Sequence, residues 1–396
     1  MAVTIADLHG RIGDTDSHEQ IPFPQWQNVF GDPGRQLLAY YRDAYRGMAA
    51  TPEEGEAIFD RLYSASPEDS MEITPTSVWE AKGFGAPGAS DMDRRPEVMD
   101  LMGIRSQLIF PTMGLFAFLA AQGGGMLGFR ETTDAEMKSA TDALASYNEW
   151  ASEYTGKYPD RLRIVGVIAS GKRGATPQTL TAEAERMIAM GMKAISITNG
   201  LPPGGVSPAD PAMDAFYARL AEADVPLVFH PPAETGYRSS EVWGKVKGGL
   251  HDLSLLPAGH QADENFIGVM VMGGVFERHP QLRVGVIESN ASWLGSLADR
   301  LDAGHGTLTR PIPYTLPLKP SEYLARQVRV SALCHEPVEK YLERYPHLQD
   351  CYCYSSDYPH PEGQEHSVER FFERIAPLGD DVVEKFFVSN SRLLLP

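Results

Sequence analysis

The sequence predicts an α/β protein built as a (β/α)8 TIM barrel with a helical and loop insertion after the first strand. Three observations predict it. Apolar runs of strand length alternate along the chain with segments of helical period, the pattern of a parallel sheet with crossover helices. Eight such runs can be counted in 396 residues, a length that one barrel with insertions accommodates, so residues 1–396 read as a single domain. Three of the runs finish on imidazoles and carboxylates: Arg11-Ile-Gly-Asp-Thr-Asp-Ser-His18, Val225-Pro-Leu-Val-Phe-His-Pro-Pro232 and Cys351-Tyr-Cys-Tyr-Ser-Ser-Asp-Tyr-Pro-His360. A doubly wound sheet would want a glycine-rich phosphate loop after its first strand, and Gly13-Asp-Thr-Asp-Ser-His18 offers carboxylates there instead.

The first strand spans Ile12 to His18. A long stretch without strand periodicity follows, about 22–95, with helices expected around Gln36 to Ala49 and Pro52 to Tyr63 and a loop at Lys82-Gly-Phe-Gly-Ala-Pro-Gly88. A segment of this kind between two barrel strands reads as a lid or interface arm, and its glycine and proline content suits a mobile cover. The second strand, Ser106 to Phe110, is closed by Pro111-Thr112. The next helix begins near Thr133, where Glu136 completes a capping box, and Met137, Ala140, Leu144, Tyr147, Ala151 and Tyr154 recur at three and four. Strands are then expected at Leu162 to Ile168, Lys193 to Thr198, the run ending on His230, Leu282 to Glu288, Val328 to Leu333 and Cys351 to Ser356. Between and after them, helices are expected at Thr179 to Met190, Ala212 to Ala223, Asp263 to Arg278, Trp293 to Leu301, Pro337 to Arg344, His366 to Arg374 and Asp380 to Phe387.

A formal net charge of −18 repels phosphate backbones, so nucleic acid is not an expected partner. Three cysteines, Cys334, Cys351 and Cys353, make neither an even disulfide set nor a CxxC pair, which fits a reducing compartment. The first residues lack the basic start and apolar core of a signal peptide, and no run approaches the roughly 18 apolar residues that span a bilayer. A cytoplasmic protein with no membrane contact is therefore expected.

In a closed barrel the carboxyl ends of all strands share one rim. The first strand would bring Asp16 and His18, spaced i and i+2, the fifth His230, the sixth Glu288 and the last Asp357. Nitrogen and oxygen donors without sulfur suit zinc, manganese or iron rather than a zinc-finger site. Each residue has a plainer reading: Asp16 could cap a loop, His230 could be a buried histidine bonded to a carbonyl, and Asp357 could begin the turn at Tyr358-Pro359. Glu288 is harder to dismiss, because an unpaired buried carboxylate is costly. His360, in a proline-flanked loop at the same rim, could be a general acid, a partner behind the ligands, a ligand to a second metal or a simple loop residue. Trp79, Phe84, Arg94 and Tyr237, from the insertion and from the irregular segment 235–257, are candidate substrate-lining residues.

Several motifs together resemble the amidohydrolase-related metal enzymes, in the branch that includes aminocarboxymuconate semialdehyde decarboxylase. They are Asp14-Thr-Asp-Ser-His18, Arg94 to Thr112, Phe229-His-Pro-Pro232, Gly273-Gly-Val-Phe-Glu-Arg-His-Pro280, Ile287-Glu-Ser-Asn-Ala-Ser-Trp293 and Ser355-Ser-Asp-Tyr-Pro-His-Pro-Glu-Gly363. The resemblance implies a barrel, a divalent metal and, as its ligands, Asp16, His18, His230 and Asp357. Many relatives carry His-x-His on the first strand, so Asp16 makes this site more anionic and shifts it toward manganese or iron. Decarboxylases of the branch commonly end the sixth strand on a His-Gly-type motif, where this chain has Glu288-Ser289-Asn290. Three functions follow as expectations. One is hydrolysis, or decarboxylation by C–C cleavage, of a small carboxylate, amide or lactone, with Glu288 or Asp357 as base. Another is a dinuclear iron or manganese-iron oxygenase (monooxygenase or hydroxylase) with Glu288 and His360 as further ligands; the third is a metal-free binding or assembly subunit. Enzymes of this type often pair, so a homodimer acting on a small molecule is expected.

Overall fold

The first strand sets the direction for the whole sheet. In the computed structural model, which describes residues 2–64, 69–124, 130–171, 173–231, 259–305, 307 and 315–396, β1 (Ile12–Glu19) is buried along its whole length and pairs in parallel with β2 (Ile104–Pro111). Next in order are β3 (Leu162–Ile164), β4 (Gly166–Ile168), β5 (Ile195–Ile197), β6 (Leu227–Phe229), β7 (Val284–Val286), β8 (Val328–Ser331) and β9 (Tyr352–Cys353), each parallel to its neighbour. β3 and β4 are one stave divided at Val165, whose N–H donates to Ile109 on one side while the Gly166 N–H donates to Ala194 on the other. The last strand then returns to the first. Thr15 N–H donates to Tyr354 O (3.1 Å), Asp357 N–H to Asp16 O (2.9 Å) and His18 N–H to Tyr358 O (2.7 Å), with a parallel bridge between Ser17 and Tyr358. These bonds close eight staves into the predicted TIM barrel.

Inside the ring, Leu108, Phe110, Val165, Ala194, Val228 and Ile287 form a small buried cluster with Leu394 and Leu395, so the C-terminal segment plugs the end opposite the site. Gly13 makes room for that plug. A Cβ there would fall 2.0 Å from Ser391 Oγ, too close for any side chain. A larger cluster joins the outer faces of the strands to the surrounding helices.

Helices fill the crossovers as expected, with instructive differences. α1 (Trp26–Met48) starts well before Gln36, because the chain continues helical on both sides of a break at Gly31 (φ 64°), just before Pro33. It packs against α2 (Pro52–Tyr63), and Trp26, Phe30, Tyr41 and Phe59 are buried in the common core. α3 (Met113–Ala121) was not expected: its sequence is apolar all round, so no period marks it as a helix. α4 (Asp134–Lys157) begins where predicted, with Thr133 and Glu136 exchanging both bonds of the capping box. The helix expected from Asp263 to Arg278 is two, Gln261–Met272 and Val275–Arg278, because Gly274 (φ 73°) turns the chain between them. Among the described residues no helix is long and apolar enough to cross a membrane.

Candidate metal centre

The rim at the carboxyl ends of the strands gathers six donors from four segments of the chain. Asp16 and His18 come from the end of β1, His230 follows β6, Glu288 follows β7, and Asp357 and His360 follow β9. They form two overlapping groups, Asp16–His18–His230–Glu288 and His18–Glu288–Asp357–His360, within each of which the donor atoms lie inside 4.8 Å of one another. His18 Nε2 is 3.3 Å from Asp16 Oδ1, 3.3 Å from Asp357 Oδ1 and 3.6 Å from Glu288 Oε2, and Glu288 Oε2 is also 2.7 Å from His230 Nε2. The imidazoles of His18 and His360 stack at 3.7 Å, while His18 and His230 meet edge to face at 5.0 Å.

Burial and polarity fit a cation. Both oxygens of Asp16 and of Asp357, both ring nitrogens of His18, Nε2 of His230 and Nδ1 of His360 are buried and find no hydrogen-bond partner among the described residues. So many lone pairs turned toward one small volume would be untenable without a positive charge among them. Proton affinities show the same need. Burial pushes the Asp16 carboxyl well above the usual carboxylate range, reinforced by the negative charges of Glu288 and Asp357. Burial alone would lower the His18 imidazole, but the neighbouring carboxylates of Asp16, Asp357 and Glu288 outweigh it and hold His18 well above its ordinary value. Glu288 goes the other way: burial would raise it, and His230 and His18 on either side bring it well below. Raised values on both members of the Asp16–His18 pair express one shortage of positive charge, which a proton relieves in part and a divalent ion would relieve more fully.

The backbone bends to present these groups. Glu288 (φ 60°) and Asp357 (φ 54°) both adopt the left-handed conformation, which costs a non-glycine residue about 1–2 kcal/mol. Glu288 N–H is held by Ser331 Oγ (2.7 Å). Beneath the donors lies a lattice the sequence did not reveal. Asp14 accepts from Gln107 Nε2 (2.8 Å), Ser356 Oγ (2.6 Å) and the backbone N–H groups of Ser356 and Asp16, and burial raises its carboxyl to about 6. Arg95, fully buried, donates to the His18 carbonyl and lies over the Tyr358 ring at 4.9 Å, so one guanidinium ties together the segments bearing His18 and Asp357. Spacing could not flag these residues, since each acts through a fold contact and none ends a strand.

A small cavity of about 30 Å³ opens beside His230, walled by Phe110, Leu115, Phe118 and Val167 with Ser196 and Asn199 among the polar contacts. Asn199 Nδ2 donates to the His230 carbonyl (2.9 Å) and to Asp263 (2.5 Å), fixing that strand end. Three of the four candidate lining residues do not line this cavity. Trp79 is buried with its ring 5.6 Å from that of His366, Phe84 packs half-buried on the core, and Arg94 binds Asp69 and the Met71 carbonyl. Tyr237 falls outside the described residues. The insertion does reach the site's border: Lys82 Nζ donates to Gly363 O (2.6 Å) and Gly83 N–H to Pro359 O (2.8 Å), strapping the loop that carries Asp357 and His360.

Comparison with known proteins agrees with this architecture. No curated protein matches the chain. Among solved structures, an amidohydrolase from Mycobacterium avium subsp. paratuberculosis superposes with a TM-score of 0.67 at 22% identity, covering 97% of this chain and 99% of that one. A 5-carboxyvanillate decarboxylase from Novosphingobium aromaticivorans, complexed with manganese and 4-hydroxy-3-methoxy-5-nitrobenzoic acid, gives 0.61 at 18% identity, with 99% and 97% covered. A 2,6-dihydroxybenzoate decarboxylase from Rhizobium gives 0.57 at 16% identity, with 97% and 98% covered. At these identities the likeness establishes the fold. The amidohydrolase family model matches residues 116–396, well over half the sequence and including four of the six donors, and the chain belongs to the amidohydrolase family.

Proposed function

We propose that the protein is a metal-dependent enzyme that cleaves a small carboxylate, amide or lactone by hydrolysis or decarboxylation, with Asp16, His18, His230 and Asp357 holding the ion. The observation that carries this reading is the set of buried, unpartnered donor atoms facing one another beside an apolar cavity. A divalent ion held there would supply Lewis-acid polarisation and acidify a bound water. The protein's own residues supply the rest. Glu288, kept ionised between two imidazoles, is the base that takes up a proton at Oε2. Phe110, Leu115 and Phe118 receive the apolar body of the substrate and keep water from it. The manganese-bound decarboxylase among the structural neighbours supports a carboxylate substrate; Glu288, standing where such decarboxylases commonly have a histidine, supports a proton acceptor at that position and hence hydrolysis.

A second reading has its own observation. Two four-donor groups share His18 and Glu288, and the buried carboxylates of Asp16 and Asp357, with the partly buried one of Glu288, leave those groups an excess of negative charge. That imbalance suits two dications, and a pair of iron or manganese ions would open oxygen chemistry to the same rim.

Metal content and turnover decide between them. The purified chain is expected to hold about one equivalent of zinc or manganese and to release carbon dioxide, acid or amine from members of a carboxylate, amide and lactone panel. Two equivalents including iron, with oxygen consumption, would favour the second reading. A chain that binds no metal under replete conditions, and whose function survives His230→Ala, would overturn both and leave a binding or assembly subunit.

A further inference from the structure

We infer that Thr112 is a positioning residue that keeps Nδ1 of His360, rather than Nε2, turned toward the metal centre; this rests on the metal-dependent reading above, with His360 as a donor in the group it shares with His18, Glu288 and Asp357. Thr112 Oγ1 lies 2.8 Å from His360 Nε2. On the other side of the ring, Nδ1 is 3.2 Å from Asp357 Oδ1 and has no hydrogen-bond partner among the described residues. The ring is pinned face-on to His18 at 3.7 Å, so the two nitrogens cannot exchange places without breaking both contacts. A neutral imidazole carries one N–H and one lone pair. When the Thr112 hydroxyl accepts from Nε2–H, the lone pair belongs to Nδ1 and points among the donors. When His360 instead gives Nδ1–H to Asp357, the same hydroxyl rotates and donates to Nε2. Thr112 therefore serves the ring in either tautomer while holding its orientation.

The placement of Thr112 gives a second, independent reason. It stands immediately before α3, where a threonine ordinarily caps the helix with its own hydroxyl. Here the side chain makes no such bond. Glu19, at the end of β1, takes over: its Oε1 accepts from the N–H groups of Thr112 and Gly114 (both 2.9 Å) and its Oε2 from Ile21 N–H (2.8 Å). With the cap supplied by a buried carboxylate, the hydroxyl is left for His360, and β1 fixes its position.

The test uses the full chain stripped of metal and titrated with zinc against a chromophoric chelator, beside Thr112→Val and Thr112→Ser. Loss of the hydroxyl in Thr112→Val should weaken one zinc equivalent by roughly 10–100-fold, the usual effect of removing a group that orients a ligand; Thr112→Ser, which keeps the hydroxyl, should bind close to wild type. Long-range ¹H–¹⁵N spectra of the zinc-loaded wild type, assigned with His360→Gln, should show His360 protonated on Nε2. Wild-type zinc affinity in a folded Thr112→Val, or coordination of His360 through Nε2, would overturn the assignment while leaving the metal site standing. Should Thr112→Val not fold, the wild-type spectrum alone decides. A wild-type chain that takes up no zinc, manganese or iron would overturn the metal reading as well.

Discussion

Asp14 illustrates how much of the centre depends on a side chain outside the donor set. Its carboxylate gathers donors from β2 and from the segment after β9, so Asp14→Ala would strand several buried donors at once. A stability loss on the order of 3 kcal/mol is expected in urea unfolding. Asp16→Ala should behave differently. Neither oxygen of Asp16 has a hydrogen-bond partner among the described residues, so removing them relieves burial and repulsion in the metal-free protein, offset by loss of the 3.3 Å ion pair with His18, while lowering ion affinity. Calorimetry of the apo form with metal titration should show unchanged or raised thermal stability and weakened binding; equal loss of both would contradict a ligand role. The donors were legible in the sequence because each follows an apolar run and precedes a turn, as at His230-Pro231 and Asp357-Tyr358-Pro359. Asp14, Arg95 and Thr112 were not, because their partners lie on other strands and nothing local marks them.

Among the elements, α4 shows local signals and tertiary structure in agreement. Thr133 Oγ1 accepts from Glu136 N–H (3.2 Å) and Glu136 returns the bond to Thr133 N–H (2.8 Å), so Thr133→Ala should cost about 1 kcal/mol. Arg130 bonded to both Glu136 oxygens lowers that carboxyl to about 2, aided by the bonds from Thr133. Since the folded value lies below the unfolded one, this contribution is full above the usual glutamate range near 4.5 and disappears as pH falls toward 2. Glu136→Gln should therefore flatten the acid limb of the stability curve between those values and leave its slope near neutrality unchanged. Where local signals fail, the cause is equally physical. Helix α3 is apolar on every side, packed between α4 and the rim, and has no polar face to give it a period. The stave split at Val165 reads as one continuous run because hydrophobicity does not register which neighbour a backbone amide chooses.

For the whole molecule, ion binding and folding should be linked. An ion that binds only the closed ring stabilises it by about 4 kcal/mol when its free concentration is a thousandfold above Kd, so chelation should lower the melting temperature and re-addition should restore it. A melting point indifferent to chelator in a metal-loaded sample would contradict a centre that joins the staves. The barrel as a whole was legible from eight runs and their spacing, whereas its closure was not: the last stave reaches the first by backbone bonds from Thr15, His18 and Asp357, which any sequence could make. That seam has a consequence for biosynthesis. Asp14 and Ser356 are bonded across a separation of 342 residues, and the candidate donors straddle the same seam. A nascent chain emerging from the ribosome presents Asp16 and His18 long before Asp357 and His360, so loading with the correct ion would await synthesis of the later pair, when the cell's free metal pool selects the occupant.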